Sequence, residues 1–281
     1  MIAVNGTRLA YDDAGAGPAV VFSHAGIADR RMWDHQFDGL ASDHRVIRYD
    51  WRGHGQSGAA AGRHAHHRDL LALMDALGVE HAALVGCSMG GAYAVDVALA
   101  APRRVRALAL ICSGVSGHLW WDAIPARIRD AVRGAVPEAR LAAYQRHSGV
   151  PVREDDVLAM AAAQARVLVA GPDRDPAALD ARVWQAAMTM LADVYRREWA
   201  GPAATAEPAD PPAVGRLADV VAPTLVVNGL ADAPWVQHMS TLLATGIPHA
   251  RRIDLPDTGH LAPVERPAEV TDLIRTLLAT S

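Results

Sequence analysis

The 281-residue chain contains no lysine, and all 27 of its basic side chains are arginine. Against 31 acidic residues they leave a formal net charge of −4, so there is no basic footprint for nucleic acid or an anionic membrane. Cysteine occurs only at Cys87 and Cys112, which excludes a disulfide-rich scaffold. Both end apolar runs and read as buried free thiols in a reducing compartment. No apolar run reaches the length of a membrane span, and Met1 to Gly6 lack the basic and apolar regions of a secretory signal. A cytoplasmic address is expected, with neither nucleic acid nor membrane as partner.

Apolar residues, by contrast, make up 51% of the chain, enough for a large core with a closed pocket. Val4-Asn5-Gly6-Thr7-Arg8 reads as a hairpin turn. Strand-like runs at 19–24, 45–50, 82–87 and 105–112 alternate with helical patterns at 65–78 and 89–101, the spacing of βαβ units. This predicts an α/β protein with a mostly parallel sheet flanked by helices. From Gly117 to about residue 200, helical segments broken by prolines replace the strands, and four of the seven tryptophans fall there. Residues 201–215, rich in Ala and Pro, read as a connecting segment. Strand grammar returns at 223–228 and 253–255, and a last helix is expected over 263–279. The simplest organisation is a split core, 1–116 and 216–281, with a helical cap and its connecting segment inserted over 117–215.

Val85-Gly86-Cys87-Ser88-Met89-Gly90-Gly91 leaves an apolar strand and opens a helix, the setting that a G-x-S-x-G motif requires. Small residues two before and two after Ser88 let strand and helix approach closely. The turn lifts the Ser88 hydroxyl clear of the sheet at a helix N-terminus, where the Met89 N–H can meet developing negative charge. The competing reading is a Gly-rich connection whose serine merely caps the helix.

Two further segments carry a resemblance. Ser23-His24-Ala25-Gly26-Ile27, with Trp33 beyond it, resembles the His-Gly-x loop of the α/β-hydrolases. Asp50-Trp51-Arg52-Gly53-His54-Gly55-Gln56-Ser57 resembles their Asp-x-Arg-Gly-x-Gly-x-Ser loop. With the serine motif, the chain resembles an α/β-hydrolase carrying an inserted helical cap, near the carboxylesterase and 3-oxoadipate enol-lactonase branch. The similarity covers both core segments and hardly touches the cap. Ala25 departs from the family, which has glycine there, and leaves open which loop amide faces the substrate; register favours Gly26, with Met89, as the oxyanion hole.

A serine hydroxyl needs a positioned base, and that base needs an orienting carboxylate. Of 13 histidines, His260 in Thr258-Gly259-His260 lies where the resemblance implies the base. His64, His66 and His67 at a helix start read as solvated or capping, His54 as structural, and His24 as a packing residue of the loop. Asp232, in Asn228-Gly229-Leu230-Ala231-Asp232, arrives beyond a strand's carboxyl end, and the order Ser88, Asp232, His260 is the one this fold uses. Asp254 and Asp257 read as strand-end and loop carboxylates.

The expected chemistry is acyl transfer without cofactor or metal, on a small-molecule ester or lactone with an apolar acyl or aryl group. Trp120 and Trp121 are candidates for the pocket roof, whereas Trp184, Met188, Leu191 and Tyr195 recur at helical spacing and read as packing. Two rivals stand beside the esterase or lactonase reading. One uses the same triad for carbon–carbon bond hydrolysis or peracid formation; the other is a receptor or lyase on the same fold.

Overall fold

The computed structural model describes residues 1–118 and 124–280. Asn5 and Gly6, both at positive φ, make the tight turn between β1 (Ile2–Val4) and β2 (Thr7–Leu9), which pair antiparallel as expected. The main sheet has seven strands. β3 (Tyr11–Ala14) pairs antiparallel at one edge with β5 (Arg45–Tyr49), and β4 (Ala19–Ser23) lies parallel on the other side of β5. After the short β6 (Gly62–His64) come β7 (Ala82–Cys87) and β8 (Val105–Ile111), both parallel members of the sheet. Every residue of β7 is buried, as a strand covered on both faces requires.

The helices of this first half are α1 (Asp34–Leu40), α2 (His66–Ala76) and α3 (Met89–Ala100). Beyond β8 follow α4 (Ala126–Arg133), α5 (Glu138–Gln145), α6 (Glu154–Leu168) and α7 (Ala181–Ala200). Their apolar side chains, among them Leu141, Tyr144, Val157, Met160 and Trp199, join the core cluster that holds Phe22, Trp33 and Val85. In α7, Leu191 is buried and Trp184, Met188 and Tyr195 pack against this same cluster, the packing role expected of that stripe. The chain returns to the sheet as β10 (Thr224–Gly229), α8 (Pro234–Gly246) and β11 (Arg251–Leu255). The sheet order is β11-β10-β8-β7-β4-β5-β3.

This order fixes where a ligand can sit. The chain runs from β4 to β5 on one side, then returns to β7 on the other side of β4. The loops leaving β4 and β7 therefore diverge, and the crevice between them lies at the sheet's topological switch point.

Two local expectations are corrected. Residues 201–215 contain β9 (Ala204–Ala206), which pairs in parallel with β6 and ties this segment to the first half of the chain. The terminal helix is two helices, α9 (Ala262–Glu265) and α10 (Pro267–Leu278), because Arg266 precedes a proline and leaves the helical region at φ −126°, ψ 57°. Among the described residues no helix is long and apolar enough to cross a membrane.

Candidate active site

Ser88 joins β7 to α3 with φ 54° and ψ −124°, a conformation that costs a non-glycine residue about 1–3 kcal/mol. Tertiary bonds hold it there. Its amide donates to Ile111 O at 3.0 Å, and its carbonyl accepts from Gly114 N at 2.9 Å. The turn also demands bare backbone around it. A Cβ on Gly86 would lie 2.4 Å from Gly90 O, and one on Gly90 would lie 2.3 Å from the carbonyls of both Ser23 and His24.

Asp232 and His260 come from the loops after β10 and β11. Ala231 N donates to Thr258 O at 2.9 Å, which joins the two loops. Asp232 is buried, and both of its oxygens are used: Oδ1 accepts from Ala233 N at 2.6 Å, and Oδ2 lies 2.7 Å from His260 Nδ1. A carboxylate only accepts, so Nδ1 carries the imidazole proton and Nε2 is left as the basic nitrogen. Asp254 instead accepts from Asn228 Nδ2 and pairs with Arg252, and only the main-chain carbonyl of Asp257 takes part, accepting from Arg174.

Ser88, His260, Met89 and Gly26 line one cavity of about 330 Å³. Among the described residues, neither the Gly26 nor the Met89 amide has a hydrogen-bond acceptor, whereas Ala25 N is engaged by Met32 Sδ at 3.2 Å. His24 braces this loop: Trp51 N donates to its Nε2 at 3.0 Å, so its Nδ1 carries the proton and donates to Ala25 O at 2.8 Å. Burial above all, with His54 nearby, pushes the His24 pKa down to about 3, so the ring stays neutral. The Asp50–Ser57 loop is likewise a brace, with Asp50 accepting from Arg30 N and Gln56 N and Ser57 Oγ donating to Asp50 O. Cys87 and Cys112 are free and buried, and burial followed by the Asp232 charge raises both thiols well above their usual range. Neither can compete as a nucleophile.

Trp120 and Trp121 lie outside the described residues. The apolar lining that is described comes from Leu168 of α6 and from Trp235, Val236 and Met239 of α8. His64, His66 and His67, expected to be solvated or capping, are all buried. Ala65 occupies the N-cap of α2, and the rings of Trp51 and Tyr93 cover His66. His66, Tyr93 and Asp96 line the cavity as well. Sequence reasoning missed these three, although the helical spacing Met89, Tyr93, Asp96 from the elbow could have found the last two.

A sequence profile described as alpha/beta hydrolase fold matches residues 18–267. The chain belongs to this family. Among α/β-hydrolase relatives it is 30% identical to RutD of Azorhizobium caulinodans, a protein named as a carbamate hydrolase, over 86% of this chain and 84% of that one. Among solved structures it is similar to the enol-lactonase from Burkholderia xenovorans LB400, with 27% identity, TM-score 0.69 and 99% of each chain covered. It is also similar to a thermophilic esterase from Thermogutta terrifontis, with 25% identity and TM-score 0.74 over 99% of this chain and 96% of that one. The α/β fold, the mostly parallel sheet and the hydrolase class expected from the sequence all hold.

Proposed function

We propose that this α/β-hydrolase cleaves carboxylic esters or lactones through an acyl-enzyme on Ser88. The observation that carries the reading is a carboxylate-oriented histidine beside a strained serine: Asp232 holds His260 at 2.7 Å, and His260 and Ser88 line one cavity. In this reading Ser88 Oγ attacks the carbonyl and gives its proton to His260 Nε2. Negative charge develops on the carbonyl oxygen beside the free amides of Gly26 and Met89, each worth roughly 3 kcal/mol in comparable sites. His260 then protonates the leaving alkoxide, and the alcohol departs. A water, deprotonated by the same nitrogen, attacks the acyl-enzyme and releases the acid.

The lactonase and esterase among the similar structures support this bond class. Leu168, Trp235, Val236 and Met239 make much of the cavity apolar, which suits an apolar acyl or aryl group. Trp120 and Trp121, just past the lining residue His118 in sequence, remain candidates for the same role. The two unpaired cysteines are in keeping with a cytoplasmic address.

The test is covalent labelling with a fluorophosphonate probe beside turnover of aryl esters and lactones. Wild type is expected to label stoichiometrically and Ser88→Ala to do neither. Undiminished labelling of Ser88→Ala would overturn the assignment.

A further inference from the structure

Helix α3 begins at the elbow and turns one face to the cavity: Met89, Ala92, Tyr93 and Asp96 all line it. Asp96 ends this face, and it is the odd member. The residue is only 3% exposed, yet its carboxylate is half used. Oδ1 accepts from Ser116 Oγ at 2.5 Å, and Ser116 Oγ in turn accepts from Ala213 N at 2.9 Å. Among the described residues Oδ2 has no donor, and no arginine or histidine pairs with the group.

Its neighbours are similarly idle. Among the described residues the Tyr93 hydroxyl, one helical turn before Asp96, makes no hydrogen bond; nor does the ring of His66, which is 9% exposed and stacks on Tyr93 with centroids 4.8 Å apart. Burial, then the charges of neighbouring histidines, pushes the His66 pKa down to about 2, so it is a neutral ring. Glu207, the other carboxylate of the cavity, is already paired with Arg63 at 2.6 Å.

A purely structural Asp96 would be costly. One oxygen suffices to hold Ser116, and a neutral acceptor would do so without burying a charge. Burial pushes the carboxyl up to about 6, so near neutral pH it is largely ionised, with no counter-charge among the described residues.

We propose that Asp96 and Tyr93 form a polar subsite that binds a hydrogen-bond donor, a hydroxyl or an ammonium, at the far end of an otherwise apolar substrate chain. The inference rests on the ester-hydrolase reading for the reacting end of that substrate. Seven steps along the helix lead from Met89 to Asp96, which sets the donor roughly 10 Å from the reacting carbonyl. Leu168, Trp235, Val236 and Met239 make most of the remaining lining apolar, beside the polar His118 and Gln164, so the substrate class is an ω-hydroxy or ω-amino acyl (or alkoxy) compound with a largely apolar middle.

The experiment compares aryl esters of ω-hydroxy, ω-ammonio and methyl-ended alkanoic acids, about six to ten carbons long, together with the matching alkyl acetates. The readout is the ratio of kcat/KM for the donor-bearing ester to that for its methyl-ended partner, which cancels any general loss of active protein. Wild type is expected to favour a donor at one chain length by about 10-fold or more. Asp96→Asn keeps the acceptor for Ser116 and should cut that ratio about 10-fold for the ammonium and less for the hydroxyl; Tyr93→Phe should cut the hydroxyl ratio. A preference for ammonium alone identifies a cationic substrate, and a preference for both identifies an alcohol-tolerant site. The proposal is overturned if methyl-ended esters win at every length, or if Asp96→Asn leaves the ratio unmoved. Should no ester or lactone be turned over, the hydrolase reading has failed, and the subsite is then judged by calorimetry. Wild type should bind ω-aminoalkanamides more tightly than alkanamides and Asp96→Asn should not; equal binding by wild type overturns the subsite.

Discussion

Glu265 accepts a hydrogen bond from the backbone of Gly259, the residue immediately before His260, with Oε1 2.7 Å from the amide nitrogen. The same carboxylate is paired with Arg174 at 2.9 Å and is almost wholly buried. Arg174 then donates to the carbonyls of Val169, Ala170 and Asp257, at 3.0, 2.6 and 2.6 Å. His260 N itself donates to Leu168 O at 3.3 Å. The end of α6 and the turn carrying the histidine are therefore one bonded unit.

Removing one partner of such a pair leaves the other charge buried alone. Glu265→Ala is expected to lose about 3 kcal/mol of stability in urea unfolding. Glu265→Gln keeps an acceptor for Gly259 N and should lose less stability while retaining more ester turnover. Equal stability of Glu265→Ala and wild type would mean that the pair adds nothing to the fold.

Asp232→Asn separates orientation from structure. The asparagine oxygen can still accept from Ala233 N, so the melting temperature should change little. Its amide would donate to Nδ1 and move the imidazole proton to Nε2, the atom that has to accept from Ser88. Ester turnover is expected to fall by roughly four orders of magnitude, as in serine proteases altered in the same way. An active Asp232→Asn enzyme would remove this aspartate from the proposed triad.

How much of this was readable in the sequence follows from how local each feature is. The elbow was legible because strand, two glycines, serine and helix lie within about ten residues and each obeys a short-range rule. Asp232 and His260 stood out in the sequence through their place after strand-like runs and through the family resemblance, and the fold brings the two side chains to 2.7 Å. β9 was not legible: Ala204–Ala206 is three residues long, exposed, and without large apolar side chains, and its bonding to β6 is what makes it a strand. His66 was misjudged because Trp51 and Tyr93, which bury it, come from other elements. Arg174 was one arginine among 27 until the fold brought it to Glu265.

The glycines of the elbow make a stability prediction with an internal control. A Cβ on Gly90 would meet two backbone carbonyls at 2.3 Å, and neither can swing aside without moving β4 or its loop. Gly90→Ala is expected to cost more than about 3 kcal/mol, read as a large loss of melting temperature or of soluble protein. Gly114→Ala, whose Cβ would find its nearest neighbour, Ser88 O, at 3.6 Å, should be close to neutral. Similar losses in both would mean that steric contact is not what selects glycine here.

Asp96 predicts a pH signature that needs no substrate. Its carboxyl titrates near 3.8 when exposed and, chiefly through burial, near 6 in the fold. Well below pH 3.8 the group is protonated in both states and contributes no pH dependence. Between about 4 and 6 the folded state holds the proton more tightly, so wild-type stability falls as pH rises through this window; above it the loss is complete. Asp96→Asn has no such titration and keeps the Ser116 bond. The stability difference between Asp96→Asn and wild type, from urea unfolding at a series of pH values, should therefore grow in favour of asparagine from pH 4 to 6 and then level off. Its size should be about 3 kcal/mol. His118, which also lines the cavity, titrates in both proteins and largely cancels in the difference. A flat difference would mean that Asp96 is as well solvated or paired in the fold as in the unfolded chain, and a buried carboxylate waiting for a donor would have to be given up.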